Sequence, residues 1–338
     1  MMDLVKVDSA GAVQTVPTTF DDFVAAWFAS DEMFRVREQS KRSYRKSLKA
    51  FKEWTTAQGI AQATKQDVKS WCNSMDAAGY SVATKNLRLT TLRNFYKWLA
   101  AEFGIANIVD GLKGWRETRE HRRGFLSCDE MRKLLSAVDT ADLSGKRGKQ
   151  GKETKHDTAM QELRRKRDKA ILGVLLAAGL RTVEISRLRV ADVKHSGGIC
   201  YLGVIGKGKD EAVDVKLSRK AEQLILDWLS AREAVDVVSD NSPLFCSLAI
   251  NGFGDVLSSN SVSTLCKRYL EAAGLKSKDI VAHSLRHSLA TNALMKGASL
   301  MEVQQQLRHA NLSTTQIYLH EAEKAANRVT DLVADEIF

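Results

Sequence analysis

Two prolines, Pro17 and Pro243, are all that 338 residues contain, so long helices can run without an internal break. Cysteine is nearly as sparse. Five cysteines sit at positions 72, 128, 200, 246 and 266, odd in number and never in a CxxC pair. That argues against a disulfide framework or a zinc site and for a reducing, cytoplasmic setting. No run approaches the roughly 18 apolar residues of a membrane-spanning helix, and the N-terminus, with Asp3, Lys6 and Asp8, lacks a basic-then-apolar secretory pattern. There is no Walker A loop, no cluster of carboxylates, no internal repeat and no heptad run. Nothing therefore points to nucleotide hydrolysis or two-metal chemistry.

What is present is apolar mass and positive charge. Hydrophobic residues make up 44% of the chain, and the formal net charge is +10. The first supports a sizeable core. The second suits a polyanionic partner, since each Lys or Arg placed on a phosphate releases counterions, although a merely basic enzyme has the same composition.

Residues 1–17 read as a tail and 18–112 as a helical domain. Thr19 or Asp21 caps a helix bearing Phe23, Ala26 and Trp27. A second helix, from about Ser40, places Tyr44, Leu48, Phe51 and Trp54 on one face. Thr64 and Asp67 start a third, with Val68, Trp71 and Met75, which Gly79 ends. Ser81 opens a fourth that closes near Gly104. Four such helices make a compact bundle whose outer faces carry Lys41, Arg42, Arg45 and Lys46, then Lys85, Arg88 and Arg93. Residues 113–124, charged and poor in apolar positions, read as a linker, either lying along a polyanion or merely solvated.

Residues 125–338 read as a second domain. Ser127 and Glu130 form a capping box, 140–156 a Gly- and Lys-rich loop, and a helix then runs to about Ala178. "ICYLGVIGKGKDEAVDVKLS" reads as a β-hairpin. Helices follow at about 219–235, 261–273, 281–296, 299–309, 313–319 and 321–335. The fold class is thus mainly α with a small antiparallel β-sheet.

Four motifs could carry chemistry. In "GLRTVEISRL", Arg181 and Glu184 lie three apart, which is also an ordinary helix pair. "GKGKD" puts Lys207 and Lys209 at a hairpin tip, solvated or reaching into a groove. In "HSLRH", His283 and Arg286 share a helix face and offer a guanidinium fork beside a proton-transfer group. The His283/His287 spacing resembles a zinc motif, but Ser284 stands where a general base belongs and no third ligand follows. In "LRHANLSTTQIYLH", Tyr318 follows His309 by nine residues, a place equally suited to half-buried packing. Together these groups meet the needs of metal-free phosphodiester cleavage: arginines for the non-bridging oxygens, a tyrosine hydroxyl as nucleophile, and a lysine as proton donor to the leaving oxygen.

The order Arg, Lys, His-x-x-Arg, His, Tyr resembles that of the tyrosine recombinase (phage integrase) family over roughly residues 18–335. "HANLSTTQIYLH" and "HSLRHSLATNAL" are its most specific parts. The resemblance implies a core-binding domain followed by a catalytic domain of the DNA breaking-rejoining fold, the two closing a C-shaped clamp on duplex DNA. It implies that Arg181 and Arg286 clamp the scissile phosphate and that Lys207 is the general acid. His283 would assist proton transfer, His309 would hydrogen-bond the phosphate, Tyr318 would attack, and Glu184 would hold the site in order. No cofactor or metal is implied. The partners implied are double-stranded recombination sites and a homotetramer exchanging strands through a 3′-phosphotyrosine and a Holliday junction. The amphipathic tail, 321–338, would dock in trans or pack on its own domain.

Only some seventeen residues precede the first helix, which leaves no room for an arm-binding domain. This favours a Xer-like or small mobile-element enzyme of a prokaryotic or phage source, acting in the cytoplasm at the nucleoid. Arg308 departs from the family, which usually has Gly there, and Val183 replaces a usual small residue. A type IB topoisomerase and a non-enzymatic DNA-binding regulator are the rival readings.

Overall fold

The computed structural model describes residues 5–7, 13–15, 17–116, 124–142, 155–206, 211–309, 315–319 and 322–323. It divides into two compact units, Met1–Glu120 and His121–Phe338. The segment expected to be a plain tail holds a short antiparallel hairpin, β1 (Val5–Val7) with β2 (Val13–Thr15). Strands of three residues are too short to show a period in sequence.

The first unit is a helical bundle of α1 (Phe20–Ala29), α2 (Asp31–Phe34), α3 (Glu38–Ala57), α4 (Lys65–Ala77) and α5 (Val82–Phe103). Thr19 and Thr64 each accept from a backbone N–H three residues on, and Asp22 and Asp67 reach back to complete both capping boxes. Such caps satisfy amides that the first helical turn leaves open. Ser81 caps α5, and Gly104, at φ 66°, closes it in the left-handed conformation that favours glycine. The single turn α2 adds to the four helices read from sequence; it is held by Met33, which is buried. Aromatic rings fill the core, with Phe51 edge-on to Trp71 at 5.0 Å and Phe20 edge-on to Phe95 at 5.6 Å.

The second unit begins with α6 (Cys128–Thr140), started by the Ser127–Glu130 capping box, and α7 (Lys155–Ala178). Most of the Gly- and Lys-rich loop between them lies outside the described residues. A single turn, α8 (Thr182–Ile185), leads to an antiparallel sheet of β3 (Val193–Ser196), β4 (Ile199–Ile205) and β5 (Ala212–Lys216), with β4 central. The hairpin read from sequence is β4–β5, in register Leu202↔Val215. The third strand, β3, adds to that hairpin: all but Val193 of its residues are exposed, so it has no buried alternation to betray it. Cys200, Leu202 and Val204 point into the core, where α9 (Arg219–Glu233) packs.

Then follow α10 (Ser259–Ala272), α11 (Ala282–Met295) and α12 (Leu300–Leu307). α12 stops two residues short of the expected boundary because Arg308 turns left-handed. Residues 315–319 are helical, while most of the expected helix 321–335 lies outside the described residues. Among the described residues no helix is long and apolar enough to cross a membrane. All five cysteines are free thiols, and burial pushes Cys200 up to about 11 and Cys266 up to about 12.

α11 is the axis of this unit. It is unusually polar for a buried helix, and Ser288 and Asn292 tie it to the segment before α6. Ser288 accepts from the Leu126 amide at 2.7 Å and donates to the Ser284 carbonyl at 2.8 Å; Asn292 donates to the Leu126 carbonyl at 2.8 Å. These bonds offset the desolvation that burial imposes. Beside α11 runs the end of α7, where Gly179 sits at φ 64°, and a Cβ built there would lie 2.6 Å from Leu307 Cδ2 and 2.9 Å from Leu289 Cδ2. Gly179→Ala is therefore expected to lower the stability of this unit by at least about 1 kcal/mol, measured by urea unfolding. An unchanged midpoint would show that the turn accommodates a side chain freely.

Candidate active site

Arg286 lies on the buried face of α11, 1% exposed. Its Nη1 donates to the Gly179 carbonyl and its Nη2 to the Leu307 carbonyl. One cation thus joins the C-terminal ends of α7 and α12, where carbonyls lack helical partners and carry partial negative charge. Burial, then the nearby Arg181 cation, lowers its pKa to about 10, with Glu184 and Tyr318 acting in the opposite sense. It stays protonated at neutral pH.

Arg181 caps α8 by its backbone. Its amide donates to Glu184 Oε2 and its Nη1 to Oε1, each at 2.8 Å. Glu184, 1% exposed, also accepts from Arg308 Nη2 at 2.8 Å. Burial pushes the Glu184 carboxyl up, but the Arg308 charge, then the hydrogen bonds and charge of Arg181, hold it below the usual carboxylate range. The sequence could show Arg181 and Glu184 as an i,i+3 pair, but not that a third residue, 124 positions later, shares the carboxylate.

Arg308 is the only non-glycine at positive φ among the described residues, at 55°. This conformation costs an L-residue roughly 1–2 kcal/mol, and it ends α12 so that His309 turns inward. The His309 amide donates to the Gln304 carbonyl at 3.2 Å, and its carbonyl accepts from Gln304 Nε2 at 3.1 Å. Its Nδ1 lies 2.9 Å from Oγ1 of Thr315, itself fully buried. When Thr315 donates to Nδ1, the ring proton sits on Nε2, free to be offered to an anion. Burial, then the cations Arg286 and Arg181, then His283 and Arg308, lower the His309 pKa to about 4. Three residues remote in sequence, with the adjacent Arg308, therefore act on one imidazole.

Tyr318 lies on the helical turn 315–319, 7% exposed, packed with Ala290, Val303 and Leu307. Its ring centroid is 4.8 Å from that of His287 and 5.8 Å from that of His309. The structure thus gathers Arg181, Glu184, His283, Arg286, His309 and Tyr318 at one place. His283 is exposed, and with Arg181 it lines an open cleft that also includes Thr182, Ser259 and Lys267. Lys207 lies outside the described residues. His287, read from sequence only as half of a zinc spacing, is instead buried against Tyr318; its signal was the i+4 step from His283.

The only group of three or more metal-ligating side chains among the described residues is His195, Cys200 and Glu222, on the sheet and α9. His195 and Glu222 are already hydrogen-bonded to each other at 2.7 Å. No histidine of the gathered site belongs to such a group.

The basic residues read on the outer faces of the first unit divide. Arg42 and Arg45 are exposed, Arg45 lying over the Phe28 ring at 4.4 Å. Lys41 pairs with Glu38 at 3.2 Å, Arg88 stacks on Tyr80 at 4.3 Å, and Arg93 donates to the Leu112 carbonyl at 2.9 Å. Lys85 is placed differently from the outer-face expectation. It is buried, paired with Asp76 beneath the Trp115 ring, because its position falls on the inner side of α5 where Asp76 neutralises it.

Residues 150–325 match the phage integrase family, and residues 33–102 match the SAM-like N-terminal domain of phage integrases. The chain belongs to the phage integrase family, the tyrosine-type site-specific DNA recombinases. It is 30% identical over 298 residues to tyrosine recombinase XerD of Brucella melitensis biotype 1, covering 86% of this chain and 90% of that one. It is 32% identical over 285 residues to tyrosine recombinase XerC of Yersinia pestis, covering 82% of each. The fold is similar to that of XerH bound to palindromic difH substrate, with TM-score 0.66 at 24% identity over 86% of this chain and 80% of that one. It is also similar to a lambda integrase dimer bound to a COC′ core site, with TM-score 0.62 at 16% identity over 88% and 97%.

The depressed His309 has a consequence for stability. In an unfolded chain the imidazole protonates near pH 6.5, whereas here it resists protonation until about pH 4. Its contribution is complete above pH 6.5 and is lost as pH falls toward 4. Between pH 7 and pH 5 the protein is expected to lose about 1 kcal/mol more stability than His309→Gln. Urea unfolding of both at the two pH values checks this; equal losses would mean the imidazole is not held neutral.

Proposed function

We propose that Tyr318 is the nucleophile of DNA strand exchange and that Arg181, Arg286, His283 and His309 surround the phosphate it attacks. The observation that carries this reading is the convergence on Tyr318 of Arg286 and His287 from α11 and of His309 from the segment after α12. The phenol oxygen forms a bond to phosphorus while the bond to the 5′-oxygen breaks, giving a 3′-phosphotyrosine and a 5′-hydroxyl. Arg181 and Arg286 neutralise the non-bridging oxygens as charge builds on them. His309, neutral at working pH, donates from Nε2 to one of those oxygens. His283, at the open side of the cleft, takes part in the phenol's proton transfer, and Lys207 donates the proton to the departing 5′-oxygen. The phosphotyrosine keeps the bond energy, so a 5′-hydroxyl from a second strand reverses the step without a nucleotide cofactor. Glu184 orders the arginines and does not itself react.

The partner proposed is duplex DNA carrying recombination sites, bound with help from Arg42, Arg45 and Arg88. Four copies would exchange strands through a Holliday junction, linked by the segment 321–338 in trans. A lambda integrase tetramer bound to a Holliday junction is among the solved structures with a similar fold. The net charge of +10 suits such a partner.

Tyr318→Phe is expected to abolish covalent capture of a nicked suicide substrate while changing DNA affinity less than about threefold. Covalent capture by the Phe variant would remove Tyr318 from its role. A supercoil-relaxation assay beside a two-site recombination assay separates the rival reading: relaxation without recombination would make the enzyme a topoisomerase.

A further inference from the structure

The family pattern has glycine where this chain has Arg308, and the local backbone still has the shape that glycine favours: φ is 55°. A side chain held in this region against its preference is retained only where the surroundings compensate. Here the compensation is visible. The Arg308 guanidinium reaches back to Glu184 Oε2 at 2.8 Å, its side chain 9% exposed, while Nη1 donates to the Gln306 carbonyl at 3.2 Å. Its Nε is buried and has no hydrogen-bond partner, so the group is aimed at the carboxylate rather than settled in a full set of acceptors.

The charge count changes accordingly. Arg181 and Glu184 alone form a pair with no net charge, and a phosphate nearby would then meet one uncompensated guanidinium, that of Arg286. With Arg308 on the far oxygen of the same carboxylate, the three residues carry a net charge of +1. Arg308 occupies Oε2 and leaves Arg181 Nη1 on Oε1 at the open side of the cleft, where Arg181 is partly exposed and Arg308 is not.

We infer that Arg308 is a positioning residue of the cleavage reaction. It neutralises Glu184 from behind, so that the field of Arg181 falls on the scissile phosphate rather than on its own carboxylate partner. This rests on the reading of the site given above. Arg308 does not touch the phosphate; it acts through Glu184. Its charge also opposes protonation of His309, so it helps keep that imidazole neutral during the reaction.

The test is the rate of covalent capture on a nicked suicide substrate from pH 5 to pH 9, for the full-length protein, Arg308→Gly, Arg308→Lys and Tyr318→Phe. Arg308→Gly restores the residue best suited to the turn, so folding should survive, with a melting temperature close to that of the parent. Its capture rate is expected to fall on the order of tenfold, and the acid limb of its pH profile to move to higher pH, because a cation near His309 is gone. Arg308→Lys keeps the charge and loses the fork, so it should leave the limb in place and recover part of the rate. It also preserves the test if the glycine variant does not fold. Wild-type capture with an unmoved limb in Arg308→Gly would overturn the inference. So would a rate loss that tracks a fall in melting temperature with the limb fixed, which would make Arg308 structural only. Capture by Tyr318→Phe would instead defeat the underlying reading of the site, whatever Arg308 does.

Discussion

A fully buried guanidinium is tolerable only if its charge is matched by well-placed acceptors, and Arg286 meets that requirement with the carbonyls of Gly179 and Leu307. The neighbouring segments of the second unit are arranged around this bond pair. The first carbonyl ends α7 just before Arg181, and the second ends α12 just before Arg308 and His309. One side chain on α11 thereby fixes the starting points of both segments that supply the remaining site groups. A cation placed there anchors the backbone at two helix ends at once.

The same constraint explains why glycine is required at position 179. The α7 carbonyl can approach Arg286 only if the chain turns left-handed beside Leu289 and Leu307, with no Cβ to intervene. Two positions in this region thus have positive φ, Gly179 and Arg308. The first solves a steric problem by lacking a side chain. The second keeps one and uses it to meet Glu184.

Much of this was legible in the sequence because it is local. Thr19, Thr64, Ser81 and Ser127 announce their helices by the atoms they offer to the next turn, and the structure starts a helix after each. The hairpin of β4 and β5 shows its buried alternation. By contrast, β3 is exposed along most of its length, and β1 and β2 are three residues each, so neither pattern rises above that of a loop. At the site, the spacing of His283, Arg286, His309 and Tyr318 was readable, since the first two share α11 and the last two lie only nine residues apart. Two features were not. The sharing of Glu184 between Arg181 and Arg308 is a long-range contact with no periodic trace, and the burial of Lys85 depends on Asp76 from another helix. A basic residue on a helix announces its charge but not which way it faces.

The aromatic filling of the first unit has an optical consequence. Five of the six tryptophans, Trp27, Trp54, Trp71, Trp98 and Trp115, fall within Met1–Glu120. Trp228 stands alone in the other unit, fully buried, its indole nitrogen donating to the Leu244 carbonyl at 2.7 Å. Intrinsic emission is therefore weighted heavily toward one half of the molecule. Replacing Trp228 with Phe would leave the second unit without tryptophan, so that with excitation selective for tryptophan events in the N-terminal bundle could be followed without any attached dye.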